Sequence, residues 1–487
     1  MLLTDALLLD YKRCQRRAYL NVYGDFRERD AERDFLRKLR QESQKHIAQV
    51  LEESFPLCQE PLTPKAQWSG RSLETQQLMK QGAEVIFNGC LSYQIESPNA
   101  TEQLVLVGHP HLLVKQPGQC RWGDWQYYPV SIQLGRRPKP EYKIIVAFYA
   151  ELLGIVQGHF PNRAEIILRR QNAYRVDLEE WLPRLQETLQ DWIALGRQSL
   201  EPEVFISRQR CSLCHWHSHC YGIAQAQQHL SLVPGVTPSR YQSLQSLGVN
   251  TIASLATVSF PLIEDSLGQA IAHQLQRQAI ALVENQAFLK STKVSPLPQA
   301  ELEIYFDIEA EPERNLDYLL GVIVVNHRTQ EQQFHAFFAE TVEDEEQIWQ
   351  AFLVFVEQYP KAPIFHFSEY EVETIKRLAT LYQTPKRQRD QLVKRCFDLH
   401  RYVVNTVILP VESYSLKSLA NWLGFQWRDA GASGDQSVCW YDQWLSSGDR
   451  LYQELILRYN EDDCQATWIL KDWLTRFLAS QRSPKVP

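Results

Sequence analysis

The strongest hydrophobic pattern in the chain is a strand-like alternation around residue 305. Even-numbered positions from 302 to 308 are apolar, and Asp307 and Glu309 occupy two of the odd-numbered positions. A period of two predicts a β-strand. Alternate side chains of a strand share a face, so we expect both carboxylates on one face, a few ångströms apart.

Two carboxylates this close repel each other, which favours a positive group between them. Mg²⁺ prefers carboxylate oxygen ligands. A solvent-facing strand edge is the alternative interpretation of an isolated D-x-E pair. The remaining patterns decide between the two.

Hydrophobic spacing also predicts a mixed α/β organisation for the first 225 residues. A basic amphipathic helix is predicted over residues 11–20. The other predicted helices are 34–53, 72–86, 142–153 and 178–195, and the predicted strands are 104–114, 126–134 and 164–168.

From residue 300 onward the patterns predict strand, strand, strand, helix, strand, which is the order of the RNase H-like fold. The elements after the D-x-E strand are strands 318–325 and 333–338, helix 344–358 and strand 363–367. A long final helix carries Tyr459 and Asp463.

Residues 228–299 are predicted to be helical. Two stretches, 232–237 and 247–256, resemble the hairpin turns of helix-hairpin-helix modules, in which backbone N–H groups receive a phosphate without reading sequence. A plain helical linker explains the same turns equally well. A domain boundary is predicted at the proline-containing stretch Val294-Ser295-Pro296-Leu297-Pro298.

Length and composition limit the classes of protein to which the chain could belong. A chain of 487 residues is too long for one core, and two or three domains are expected. Hydrophobic residues are 44% and charged residues 22%, as in ordinary globular proteins. No apolar run is long enough to span a bilayer, and the start lacks the features of a signal peptide, so a cytoplasmic location is predicted.

The net charge of −7 argues against a generally basic nucleic-acid binder, although only the field at a binding groove matters. Basic residues do cluster locally, and each cluster alone is explained by a solvated face. The clusters are Lys12, Arg13, Arg16 and Arg17; Arg136, Arg137 and Lys139; Arg169, Arg170 and Arg175; Lys386, Arg387 and Arg389.

Four of the ten cysteines form a pattern. Disulfides are not expected in a cytosolic chain, and six scattered cysteines are interpreted as packing residues. Cys211, Cys214 and Cys220 have the spacing C-x2-C-x5-C, and Cys14 stands near the other end of the same region.

This layout resembles the RecB-like PD-(D/E)XK nuclease domains that carry an iron–sulfur clasp. The resemblance implies that Cys14, Cys211, Cys214 and Cys220 bind a [4Fe–4S] cluster, which would tie the two ends of the domain together. Zinc is the rival, since C-x2-C plus a histidine from the 215–219 segment could complete a tetrahedron. Unpaired structural thiols are the third alternative.

The catalytic part of that resemblance is missing. Such nucleases have an acid after a glycine and then a D/E-x-K strand, whereas this chain has His111, Ser131 and Gln133 at those positions. A neutral set of this kind is a poor site for a hard cation. The domain is therefore predicted to be catalytically degenerate and to hold nucleic acid.

The C-terminal region resembles the DEDD exonucleases of the tyrosine subtype. The residues that match its three motifs, in order, are Asp307 and Glu309, then Glu371 after Tyr370, then Tyr459 with Asp463. Glu371 stands where most relatives have aspartate. The whole chain also resembles the bacterial RecB-like nuclease family, which joins an iron–sulfur RecB-like domain to such an exonuclease domain.

This second resemblance implies a two-metal site. Two Mg²⁺ or Mn²⁺ ions would be bridged by Asp307 and held by Glu309, Glu371 and Asp463, with Tyr459 orienting the attacking water. Asp462 points about 100° away from Asp463 on the helix and is predicted to be solvated or a cap. Asp398 is predicted to support the site, with a local backbone bond as the alternative.

The sequence thus predicts domains at 1–227, 228–299 and 300–487. The predicted function is a metal-dependent 3′→5′ exonuclease acting on DNA or RNA, at single-stranded or frayed 3′ ends, without a membrane partner. One alternative is a non-catalytic nucleic-acid-binding protein in which both nuclease domains have decayed. Another is an active N-terminal domain that uses Asp124 or Glu141.

Three tryptophans of the C-terminal region are expected either to stack on bases or to lie in the core: Trp422, Trp427 and Trp440.

Overall fold

The computed structural model describes residues 2–95, 104–170, 172–198, 200–291 and 293–482. The chain divides into two compact units, Met1–Tyr221 and Gly222–Pro487. Within the described ranges, no helix combines the length and apolar character needed to cross a membrane.

The first unit is mixed α/β with two sheets. Its strands are β1 Leu2–Thr4, β2 Val85–Phe87, β3 Leu91–Ile95, β4 Leu104–Gly108, β5 Leu112–Cys120, β6 Gly123–Ile132, β7 Glu165–Ile167 and β8 Ala173–Arg175. Its helices are α1 Asp5–Arg13, α2 Gln15–Tyr23, α3 Asp34–Ser54, α4 Trp68–Lys80, α5 Pro140–Gln157, α6 Leu178–Gln198 and α7 Arg208–Cys211, and α8 His217–Ala226 begins at its end. The strand orders are β1-β4-β3 and β2-β5-β6-β7-β8.

Helix α5 forms the centre of this unit. It is apolar on almost every face, as expected of a helix buried on all sides. It packs against β3 and β4 of one sheet, β6 and β7 of the other, and helices α1 and α6. The core of the first unit is therefore built around one helix between two sheets.

Three sequence predictions for this unit need correction. The predicted helix 11–20 is interrupted at Cys14, whose φ of −163° is extended and whose Sγ caps α2 by accepting from the Arg17 N–H at 3.4 Å. The predicted strand 104–114 is split by Pro110 into β4 and β5, because proline cannot donate to the ladder. The predicted helix 72–86 ends at Lys80 and is followed by strand β2.

The second unit contains a helical segment and a five-stranded sheet. Its helices are α9 Pro238–Ser246, α10 Ile252–Thr257, α11 Phe260–Leu267, α12 Gln269–Glu284, α13 Glu345–Glu357, α14 Tyr370–Leu381, α15 Lys386–Arg395, α16 Leu399–Thr406, α17 Leu416–Trp422, α18 Gly434–Ser447 and α19 Arg450–Arg482. Its strands are β9 Phe288–Leu289, β10 Leu302–Glu311, β11 Leu316–Asn326, β12 Glu331–Phe338, β13 Ile364–His366, β14 Cys396–Asp398 and β15 Val407–Ile408.

The large sheet has the order β12-β11-β10-β13-β14. Strands β10, β11 and β12 are antiparallel, whereas β13 and β14 run parallel to β10. Helix α19 packs on β10 and β11. The predicted order of three strands, a helix and a fourth strand is confirmed, and it places the D-x-E strand at the centre of the sheet.

In the helical segment the two predicted turns are present. Gly235 and Gly248 have φ of +96° and +77°, which favours glycine. Thr237 and Thr251 follow them and cap α9 and α10 with their side-chain oxygens. These features fit both interpretations of the segment.

Candidate functional site

Three acids meet beside the central strand of the sheet. One oxygen each of Asp307, Glu309 and Asp463 lies within 4.8 Å of the other two. Among the described histidine, cysteine and acidic residues, no other group of three is as compact. The D-x-E strand and the last helix therefore supply one cluster, as the sequence analysis expected.

Asp307 is held by an amide from α19. Asn460 is fully buried, and its Nδ2 donates to Asp307 Oδ2 at 2.8 Å. Room for this side chain exists because Gly321 stands opposite Asp307 on β11, where a Cβ would overlap Asn460 Oδ1. The close approach of helix and strand thus depends on a glycine.

Glu309 lies deeper than its two neighbours and is 5% exposed. The hydroxyls of Tyr318 and Ser437 are 2.8 Å apart, and both hydrogen-bond to Glu309. A shift in strand register follows directly after Glu309, between it and Ala310. Such bulges redirect side chains and are frequent beside active sites.

Asp463 has two donors. The indole Nε1 of Trp427 donates to Asp463 Oδ1 at 2.8 Å, and the hydroxyl of Tyr459, one helical turn earlier, is also hydrogen-bonded to the carboxylate. The Lys417 ammonium lies near enough for the charge of Asp463 to raise its pKa, although burial lowers that pKa overall.

The cluster is electrostatically strained. Burial, and then the charges of Asp463, Glu309 and Glu371, raises the pKa of Asp307 well above its ordinary value, while the bond from Asn460 opposes this shift. Burial also raises the pKa of Glu309 well above its usual range, and it raises that of Asp463 to about 7. Ionising all three acids at neutral pH is therefore unfavourable unless a cation joins them.

Glu371 lies near this cluster but outside the compact group of three. It is 4% exposed at the start of α14, and its Oε2 accepts from Ser368 Oγ at 2.8 Å. The Nδ1 of His366 is 3.4 Å from the same oxygen. Its charge reaches Asp307, whose pKa it raises.

A buried network fixes the helix turn that carries Glu371. The hydroxyl of Tyr370 donates to Asp317 Oδ1 at 2.8 Å. Arg377, also on α14, pairs with Asp317 and donates to Glu345 Oε1 at 2.7 Å. The start of α14 is thereby tied to strand β11.

Residues 304–475 match the RNase_H_2 family model of the RNase_H superfamily. The C-terminal part of the chain is an RNase H-like domain. A domain of this class indicates nuclease-type hydrolysis and a nucleic-acid substrate. No curated protein matches the chain. The predictions of a mixed α/β chain and an RNase H-like C-terminal domain are confirmed at this level.

Two other acids make contacts that bear on their expected roles. Asp462, predicted to be solvated or a cap, is 3% exposed and accepts from Arg428 Nε at 2.7 Å and from its N–H at 2.9 Å, so that prediction is wrong. Asp398 caps α16 by accepting from the Arg401 N–H at 2.9 Å, which matches the local alternative.

In the first unit, the four predicted cluster ligands line one cavity of about 770 Å³: Cys14, Cys211, Cys214 and Cys220. Burial raises the pKa of Cys220 to about 11, although the hydrogen-bonded Arg16 guanidinium lowers it. In a zinc tetrahedron with bonds of about 2.3 Å, sulfurs are about 3.8 Å apart. Within the described residues, no three of these sulfurs lie within 4.8 Å of one another.

The residues at the positions of the missing nuclease motif form hydrogen bonds with one another and with the backbone. His111 Nδ1 accepts from the Ile132 N–H at 3.2 Å, and burial lowers its pKa to about 4, so this histidine is neutral. Gln133 Nε2 donates to Ser131 Oγ at 2.8 Å. Neither Asp124 nor Glu141 belongs to a compact ligand group among the described residues.

The sequence analysis missed several residues that touch the acids. Asn460 could have been predicted from helical spacing, because it lies three residues before Asp463 and therefore on the same side of the helix. Ser437 and Trp427 had no such signal, because each is far in sequence from the acid that it contacts. Tyr318 lies on the strand paired with β10, and no spacing in the sequence marks its hydroxyl as a partner of Glu309. For Trp427, stacking and core packing were the stated alternatives, and neither describes its bond to Asp463.

Proposed function

We propose that the RNase H-like domain is a metal-dependent 3′→5′ exonuclease that hydrolyses the phosphodiester bonds of DNA or RNA. The observation that carries the proposal is the cluster of Asp307, Glu309 and Asp463, with Tyr459 bonded to the last of them. A nuclease needs negative ligands for its metal beside a group that can orient water. This cluster supplies both.

The donor set fits Mg²⁺ or Mn²⁺. Every ligand is a carboxylate oxygen, and hard divalent cations prefer such oxygens. The mutual repulsion of the acids would be relieved by the ions. Two ions held by Asp307, Glu309, Glu371 and Asp463 would supply a water nucleophile and stabilise the leaving oxygen.

Other residues of the chain would orient the metal ligands and the attacking water. Asn460 and the Tyr318–Ser437 pair hold Asp307 and Glu309 in fixed orientations. Tyr459 presents its hydroxyl beside Asp463, where it would orient the attacking water. Glu371, anchored by Ser368, would complete the ligand set as the ions bind.

For the first unit we propose a degenerate PD-(D/E)XK fold over 1–227 that binds nucleic acid. The cysteine cavity is lined by several basic side chains: Lys12, Arg13, Arg17, Arg40, Lys139 and Arg210. Arg16 and Arg17 are partly committed to structure, since Arg17 pairs with Asp10 at 2.9 Å and Arg16 pairs with Glu201. Arg40 also pairs with Glu32. The four remaining cations take part in no ion pair among the described residues and are available for phosphates: Lys12, Arg13, Lys139 and Arg210.

The cysteines of that cavity would hold a [4Fe–4S] cluster. This group is favoured over zinc because the distant fourth cysteine, Cys14, lines the same cavity as the other three. Residues 228–299 would form a helix-hairpin-helix-like segment, followed by the exonuclease domain at 300–487.

The first test is digestion of single-stranded DNA and RNA, labelled at either end, with Mg²⁺ or Mn²⁺. The variants Asp307→Asn and Asp463→Asn preserve side-chain shape and should abolish shortening from the 3′ end. Glu373→Gln is the control, because this exposed acid of the same unit pairs with Lys376 and lies outside the acid cluster. It should digest like the wild type.

The outcomes separate the alternatives. Binding of nucleic acid without any cleavage by the wild type would favour the non-catalytic protein. Cleavage that survives both aspartate substitutions and is lost in Glu141→Gln would move the site to the first unit. For the cysteines, anaerobically purified protein should be brown with broad visible absorbance, whereas a colourless zinc-loaded protein would reject the cluster.

A further inference from the structure

Trp427 lies between α17 and α18 and reaches the acid cluster from a segment that carries none of the nuclease motifs. Its indole N–H is bonded to Asp463 Oδ1 at 2.8 Å. Asp463 is 36 residues later in the chain. The contact therefore exists only because this segment folds against α19.

The two residues after Trp427 fasten the segment to the same helix. Arg428 donates to Asp462 from its backbone and its guanidinium, at 2.9 and 2.7 Å. The carboxylate of Asp429 accepts two bonds from Arg458, at 2.9 and 3.1 Å. We call residues 427–429 the strap. Each of its three residues bonds to α19, which fixes the register of strap and helix.

The indole ring is also held at its face and edge. The Lys417 ammonium lies 5.4 Å from the ring centroid, and its Nζ donates to the Ala432 carbonyl at 2.6 Å. Phe425 packs edge-on against the ring with centroids 5.1 Å apart. With the backbone fastened and the ring enclosed, the N–H stays directed at Asp463.

We propose that Trp427 is a positioning residue for metal binding. Its N–H holds Asp463 Oδ1 and so fixes the plane of the carboxylate, one oxygen of which lies within 4.8 Å of the oxygens of Asp307 and Glu309. A carboxylate oriented in advance loses less conformational freedom when it binds a cation. Groups that orient metal ligands typically change metal affinity or activity by about 10–100-fold.

This role differs from base stacking. A stacking tryptophan offers its ring face to the substrate, whereas here one face meets Lys417 and the N–H edge is occupied by Asp463. Loss of a stacking residue weakens nucleic-acid binding. Loss of the positioning bond weakens metal binding instead.

The inference rests on the proposed metal-dependent activity, and the test is the variant Trp427→Phe in the full chain. Phenylalanine keeps an aromatic ring and removes only the N–H donor. Trp444→Phe is the matched control, because Trp444 is also half-buried in this unit and donates its N–H, at 3.0 Å, to the Glu340 carbonyl. Mn²⁺ binding is measured directly from the spin-resonance signal of the free ion.

We expect Trp427→Phe to raise the Kd for Mn²⁺ by about tenfold and Trp444→Phe to leave it unchanged. The Mn²⁺ concentration for half-maximal cleavage should rise in parallel. The rate at saturating Mn²⁺ and the KM for nucleic acid should remain close to those of the wild type, which a merely misfolded variant would not show.

Three results would overturn the inference. An unchanged Mn²⁺ Kd in Trp427→Phe removes the positioning role, and so does an equal loss in Trp444→Phe. A raised KM for nucleic acid with unchanged metal dependence assigns Trp427 to base stacking. By contrast, a wild type that neither binds Mn²⁺ nor cleaves would refute the proposed function itself.

Discussion

Replacement of Gly321 by alanine tests whether the contact between α19 and β11 positions Asp307. The added Cβ would overlap Asn460 Oδ1, and it would lie 2.7 Å from Asn460 Cγ and 3.2 Å from Phe334 Cε2. The φ of Gly321 is not among the positive values, so alanine is compatible with the backbone. The effect should therefore come mainly from Asn460, with a smaller adjustment of Phe334.

The size of the stability loss follows from the hydrogen bond that Asn460 loses and from the overpacking around it. Asn460 Oδ1 is buried and makes no hydrogen bond among the described residues, so its displacement breaks no bond at that end. The Nδ2 bond to Asp307 must break, and a bond to a charged group contributes about 1.5–3 kcal/mol. Overpacking adds about 1–3 kcal/mol. We expect the free energy of unfolding to fall by roughly 2.5–6 kcal/mol.

Urea unfolding and Mn²⁺ titration of the full chain provide the assay. Gly434→Ala is the control, because a Cβ there meets nothing within 4 Å. The double variant Gly321→Ala/Asn460→Ala removes the overlap and should recover only the part of the stability that overpacking cost, while Mn²⁺ affinity stays low because Asp307 has lost its donor. Wild-type stability and Mn²⁺ affinity in Gly321→Ala would refute this reasoning.

Three further predictions concern other parts of the two sites. Burial raises the pKa of Asp463 from 3.8 to about 7, so the folded state binds more protons than the unfolded chain between these values. In EDTA, the free energy of unfolding should therefore fall as pH rises through that window, and Mn²⁺ should restore it at neutral pH; a flat urea midpoint contradicts this. Tyr459→Phe should lower kcat by about 100-fold with little change in Mn²⁺ Kd, and a wild-type rate would exclude the tyrosine from water positioning. Cys14→Ser should lose the visible absorbance of anaerobically purified protein, with Cys58→Ser as the control, and a retained spectrum would exclude Cys14 as a ligand.

Periodicity predicted much of the fold because hydrophobic burial has the same period as the elements that it stabilises. The D-x-E strand, the three strands and helix around it, and the shared face of Asp307 and Glu309 all followed from spacing. The break at Cys14 did not, because a hydrophobic pattern can continue across an extended residue. Asp462 was misjudged for a related reason. Helical geometry gives its direction, but only tertiary packing brings Arg428 there.

The two units place buried acids in opposite electrostatic settings. In the first unit, the Tyr149 hydroxyl and the His109 N–H donate to Asp5, at 2.6 and 3.0 Å, and Asp5 keeps a lowered pKa despite its burial. Asp5 is thus satisfied without a metal. In the second unit, the donors around Asp307, Glu309 and Asp463 hold their orientation but leave their mutual repulsion uncompensated, and their pKa values stay raised. Acids kept together at such a free-energy cost are typical of functional sites, because a bound cation converts the repulsion into binding energy. The electrostatic contrast therefore supports the proposed metal site in the C-terminal domain on grounds other than motif order.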